Sequence, residues 1–174
     1  TTLLQIAGLL DSPTKGEIII NGKKCDHLSQ EDKNFIRKQH IGFVYQNFYL
    51  LDSFSALENV IIPQLINGSG FDNARKRAKN LLSDLGLLKR LYNKPRELSG
   101  GEKQRVSILR AIANRPKIIL ADEPTGNLDK KNSENVVKII KDMVNHYNIS
   151  FIIATHNLSI TKKFDKIEKI SEGK

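Results

Sequence analysis

Along this chain the apolar residues switch between helical spacing, alternation and unbroken runs, and the switches mark the elements. Leu3, Leu4, Ile6 and Ala7 make the stripe of a helix already under way at Thr1, so the sequence reads as starting in mid-motif. Glu17-Ile-Ile-Ile runs into Asn21-Gly22 before Lys23-Lys24, a strand entering the two-residue turn that most favours a hairpin. Ile41 to Tyr45 is a second short strand, with Gln46 just past its carboxyl end. From about 47 to 97 the spacing turns helical. Ala56 to Ile66 forms one helix, Asn67-Gly-Ser-Gly breaks it, and Asp72 is placed to cap the next. That helix runs to Leu85, where Gly86 and Leu87 supply a Schellman stop.

Beyond Ser99 the order becomes helix, strand, helix, strand. Lys117 to Ala121 and Ser150 to Thr155 are continuous apolar runs, as parallel strands buried on both faces require. Val136, Val137, Ile140, Met143, Val144 and Tyr147 give the helix between them its buried stripe. Two parallel strands joined this way end on one sheet edge, where open α/β folds bind ligands. Asp122, Glu123 and His156 all fall on that edge. The pattern predicts one α/β domain with a parallel sheet and an N-terminal antiparallel hairpin. Its parts are a partial core over 1–46, an inserted helical subdomain over 47–98 and the remaining core over 99–174.

Composition narrows the picture. At 174 residues the chain is long enough for a sizeable core. No apolar run approaches the roughly 18 residues a membrane span needs. The single Cys25 excludes an internal disulfide and fits a reducing compartment. The net charge of +9 is concentrated in the stretches 75–96 and 162–169. No aromatic residues interleave there for base stacking, so the charge reads as a solvated or membrane-proximal face and no nucleic acid is expected.

The chemistry lies between Leu98 and Asp129. Ser99 and Glu102 form a capping box, which by itself only starts a helix. It leaves Gly100 and Gly101 unexplained, since glycines weaken a first turn unless something must approach the backbone. Bare amides at a helix start are an anion site. Further on, Asp122 and Glu123 close an aliphatic strand as adjacent carboxylates, suited to holding a metal-bound water and deprotonating another.

These motifs, Leu98-Ser-Gly-Gly-Glu-Lys-Gln-Arg and Ile118-Ile-Leu-Ala-Asp-Glu-Pro-Thr-Gly-Asn-Leu-Asp, resemble the nucleotide-binding domain of ATP-binding-cassette (ABC) transporters. The resemblance spans the whole chain and implies a P-loop NTPase core binding ATP and Mg²⁺. It implies Asp122 as the Walker B residue holding the metal through water, and Glu123 as general base. His156 becomes the switch histidine at the γ-phosphate, and Gln46 the Q-loop residue reaching metal and lytic water. Leu98, Ser99, Gly100, Gly101 and Glu102 make the signature that contacts ATP held by a second copy, and Asp129 the D-loop residue at that interface. The resemblance therefore implies a dimer with two composite sites. The amino end departs from the family. Of the phosphate-cradling P-loop only Thr1 and Thr2 match, with Thr1 at the position of the metal-ligating hydroxyl. The chain is expected to be truncated there, and these residues alone, without the P-loop Lys, to be inactive.

Within the family, Phe48 to Val60, Pro63 and the Ala121–Asp129 string are similar to ATPases of bacterial lipoprotein release. Macrolide exporters and a cell-division complex are similar alternatives. The resemblance implies transmembrane permease partners and a peripheral place on the cytoplasmic face of the inner membrane. A soluble ABC ATPase acting on DNA or ribosomes is the rival reading; the interval from Thr1 to Ser99 lacks the heptads a DNA-repair coiled coil needs. Phe48, Tyr49, Leu50, Leu51 and Phe54 are more apolar than a solvated loop requires and are expected to form the docking surface for the permease.

Overall fold

The computed structural model describes residues 1–170, so the last four positions of the 99–174 segment lie outside it. Three parallel strands carry the core: β3 (Ile41–Tyr45), β4 (Ile118–Asp122) and β5 (Ser150–Ala154), in the order β3-β4-β5. An antiparallel hairpin, β1 (Ile19–Ile20) with β2 (Lys23–Lys24), stands apart. Its turn has φ of 50° at Asn21 and 75° at Gly22, the two positive angles the Asn-Gly pair tolerates.

Central strand β4 is buried on both faces and shows the two-residue period of a pleat. Ile119 and Ala121 face the large cluster built on helix α5 (Gly100–Ile112), helix α6 (Lys130–Tyr147) and the helical segment. Leu120 turns to the opposite side, against Leu4 of helix α1 (Thr2–Ala7). Cys25 packs with Leu9 and Ile36 in a third cluster near the hairpin. Helix α5 presses directly on β3: a Cβ on Gly42 would lie 2.5 Å from the Ala111 carbonyl oxygen, so only glycine allows that approach. No described helix is long and apolar enough to cross a membrane.

Helices α3 (Ala56–Ile66) and α4 (Phe71–Asp84) pack on each other and against α5. The end of α4 follows the expected Schellman pattern. Leu87 N–H bonds Leu82 O at 2.8 Å, Gly86 N–H bonds Ser83 O at 2.9 Å, and Gly86 has φ of 69°. Its start does not follow expectation. Extended Gly70 is the cap and the helix begins at Phe71, so Asp72 lies in the first turn, where its charge meets the positive helix end. Helix α2 (Gln30–His40) was not anticipated; Ser29 caps it by accepting from Asp32 N–H. Helix α7 (Leu158–Thr161) is one turn after β5.

Helices α4 and α6 are tied at their ends by Tyr147, whose hydroxyl donates to Asp84 at 2.8 Å. Burial, then the bond to Asp84, pushes the phenol up to about 12 from 10.0. The folded state therefore holds this proton more tightly than the unfolded chain. The resulting stability is fully present below pH 10 and is lost as pH rises toward 12. Tyr147→Phe is expected to cost about 0.5–1 kcal/mol at pH 7 and nothing at high alkaline pH, read from urea unfolding of both proteins across that range.

Candidate functional site

The carboxyl ends of β3, β4 and β5 deliver Gln46, Asp122 and His156 to one edge of the sheet, as the strand order requires. Tyr45 and Asp122 are paired in register, as are Asp122 and Ala154, so the next residue on each strand emerges side by side. Strand alternation would send consecutive carboxylates to opposite faces. Glu123 escapes it by leaving the strand with φ of 45°. Its N–H still bonds Ala154 O at 2.9 Å, and its carboxylate is gripped by the β5 terminus. Thr155 Oγ1 donates to Oε2 at 2.8 Å, His156 N–H donates to Oε1 at 2.6 Å, and His156 Nδ1 lies 2.7 Å from Oε1. A non-glycine residue in the left-handed region costs on the order of 1–2 kcal/mol, here offset by those bonds. The Glu123 side chain is 17% exposed, while that of His156 is 83% exposed and open to a ligand.

Asp122 accepts from the Thr1 hydroxyl at 2.6 Å. Thr2 opens α1 beside it and is exposed. Gln46 faces the loop after Glu123. Its Nε2 donates to Asn127 Oδ1 at 3.1 Å, and Asn127 Nδ2 returns bonds to Gln46 O and Asn47 Oδ1, both at 3.1 Å. Gln46 also lies across Gly126, where a Cβ would come within 2.7 Å of its Nε2.

The second group of residues surrounds the start of α5. Ser99 caps the helix through a complete capping box with Glu102. The Ser99 N–H donates to Glu102, which also pairs with Arg90 at 2.9 Å; these bonds hold the Glu102 carboxyl below its ordinary range. Leu98 is buried. The two glycines differ: Gly100 is exposed, whereas Gly101 is buried under Asn132, whose Oδ1 would be 2.8 Å from an added Cβ. Gly101 therefore lies against the Asn132 side chain inside the chain, and Gly100 is the backbone open to a ligand. Asp129 caps α6 by accepting from Asn132 N–H at 2.8 Å, which lowers its carboxyl. Among the described residues, no hydrogen bond joins Leu98–Glu102 to the cluster of Thr1, Asp122, Glu123 and His156.

Three residues that the sequence did not single out hold the segment from Gln46 to Phe54 in place. Asn127 locks Gln46, as above. Asn59 is fully buried and pins Leu51 and Phe54 through their main-chain groups. Arg110 reaches from α5 to the carbonyls of Phe48 and Tyr49. The available signal was a charged or polar residue inside an otherwise apolar helix stripe, Arg110 among Ile108, Leu109, Ala111 and Ile112.

The family described as ABC transporter matches residues 1–126 of the chain. The lipoprotein-releasing system ATP-binding protein LolD 1 of Rhodospirillum rubrum is 49% identical over 174 residues, covering 100% of this chain and 77% of that protein. The LolD protein of Rickettsia conorii is 50% identical over 170 residues, covering 98% and 75%. Among solved structures, the dimeric ATP-binding cassette MJ0796 in a post-hydrolysis state bound to ADP and Pi superimposes with a TM-score of 0.81. It has 38% identity, and 92% of this chain and 71% of that one are covered. A second dimeric structure of that cassette gives 0.82 at 41% identity, with the same coverage. An α/β fold with this edge of carboxylates and a capped glycine helix start defines a nucleotide-hydrolysing cassette. The chain belongs to the ABC transporter family and is an ATPase domain of that family.

Proposed function

We propose that this chain is the ATP-hydrolysing subunit of a lipoprotein-releasing transporter, working as a dimer on the cytoplasmic face of a bacterial inner membrane. The observation that carries the reading is the near-half identity to LolD proteins along the whole sequence. Glu123 is the general base; Thr155 Oγ1, the His156 backbone N–H and His156 Nδ1 aim its carboxylate, and the other ring nitrogen of His156 is left to meet the terminal phosphate. Gly100 presents its exposed backbone, and Ser99 its hydroxyl, to nucleotide held by the other copy, and Asp129 lies at that interface. The segment 47–98 is the helical subdomain between the two parts of the core.

The donor set suits Mg²⁺. Asp122, the Thr1 hydroxyl and Gln46 offer oxygen atoms, the ligands this hard cation prefers. Among the described residues no group of three or more His, Cys, Asp or Glu gathers to cage a metal alone. That fits an ion completing its shell with phosphate and water. When bound, Mg²⁺ neutralises charge on the phosphates. Asn127 holds the Gln46 amide nitrogen, which leaves the amide oxygen to a ligand.

The docking reading is refined by burial. Tyr49, Leu51 and Phe54 are exposed, whereas Leu50 packs on the core. The face offered to the permease is those three side chains. The reading is tested with the full gene product: Mg²⁺-dependent ATP hydrolysis is expected, rising severalfold when a lipoprotein-releasing permease is supplied in nanodiscs. Stimulation by a macrolide-exporter permease instead, with none by the lipoprotein-releasing one, would move the protein to that group.

A further inference from the structure

The segment from Gln46 to Ser55 links the catalytic edge to the docking face, and its middle is held in an unusual way. Phe48 and Tyr49 are consecutive non-glycine residues with φ of 44° and 45°. Two adjacent L residues keep the left-handed conformation only when their surroundings impose it. The imposing groups come from α5. Arg110 forks onto the segment, Nη1 donating to Tyr49 O and Nη2 to Phe48 O at 2.8 Å, and Ser107 Oγ donates to the same Phe48 oxygen at 3.3 Å. No carboxylate forms an ion pair with Arg110 among the described residues, so its charge is spent on two carbonyls.

Helix α5 that carries this fork is the helix that begins at Ser99 and Gly100. Ten residues of α-helix separate Gly100 from Arg110, a rod of about 15 Å. On the other side of the clamped residues, Tyr49, Leu51 and Phe54 face outward, and Gln46 lies two residues upstream of Phe48. We propose that Arg110, with Ser107, is a positioning residue that fastens the docking segment to α5. A push on that segment by the permease then reaches Ser99 and Gly100 as movement of one rigid body. The proposal rests on the functional reading above for the existence of the permease.

The test uses the full gene product, with and without the lipoprotein-releasing permease in nanodiscs. Hydrogen exchange of isolated protein comes first: Arg110→Ala should speed exchange in the peptide 47–51 at least tenfold and leave β4 unchanged. The ratio of permease-stimulated to basal ATPase comes second. Arg110→Ala should lower that ratio fivefold or more with KM for ATP within twofold, and Arg110→Lys should be intermediate. Adding Phe48→Gly, which eases the left-handed conformation but supplies no tether to α5, should not recover the lost ratio. An unchanged ratio in Arg110→Ala overturns the proposal. So does a loss that Phe48→Gly fully rescues, because Arg110 would then act only on the local conformation and not as a tether to α5. If Arg110→Ala fails to fold by circular dichroism, Arg110→Lys and Ser107→Ala carry the same comparisons. Wild-type protein that no permease stimulates refutes the functional reading instead. The exchange measurement then decides the clamp alone, and unaltered exchange at 47–51 would sink it.

Discussion

Glu123→Gln is expected to slow ATP hydrolysis by on the order of 10²–10⁴ while nucleotide binding persists. The amide keeps the shape of the carboxylate and can still bond Thr155 and the His156 backbone, so the edge of the sheet should stay assembled. What it loses is the capacity to accept a proton from water. Nucleotide would then remain trapped, and the full gene product should elute as an ATP-dependent dimer in size-exclusion chromatography. Hydrolysis at the wild-type rate would remove Glu123 from the role of base and turn attention to His156.

Tyr49→Glu combined with Leu51→Glu should abolish co-purification with the permease while basal ATPase and melting temperature hold. Both side chains are exposed, at 63% and 43%, so charge there should cost little in the isolated protein. Leu50 is the internal control. It packs on the main cluster, and Leu50→Glu should instead melt the protein several degrees lower. A double mutant that still binds the permease would show that the partner docks elsewhere.

Much of this architecture is legible in the sequence because it is written in local signals. The Asn21-Gly22 turn, the Ser99–Glu102 capping box, the Gly86 stop and the two aliphatic strands each follow from a few neighbouring residues. Helix α2 escaped because only Phe35 and Ile36 interrupt its polar run, so no apolar stripe develops and its Ser29 cap was the sole cue. The carboxylates and His156 were readable because strand ends fix where their residues emerge. Arg110 and Asn127 were not, since their partners include main-chain oxygens 62 and 81 positions away. In the sequence Arg110 shows only as a charge in an apolar run; its carbonyl partners are alike at every residue and are not named by the amino-acid order. Of the two signature glycines, Gly100 is exposed and Gly101 lies against Asn132, a difference that depends on a residue 31 positions away.

That same choice of partner has a consequence for how such proteins diverge. Arg110 and Asn59 hold Phe48, Tyr49, Leu51 and Phe54 by their main-chain groups and leave the outward side chains unconstrained. Substitution at Tyr49, Leu51 or Phe54 can therefore change this exposed surface without loosening the path of the chain behind it. A lineage can vary this surface one residue at a time, while the strand ends that carry Asp122, Glu123 and His156 keep their arrangement.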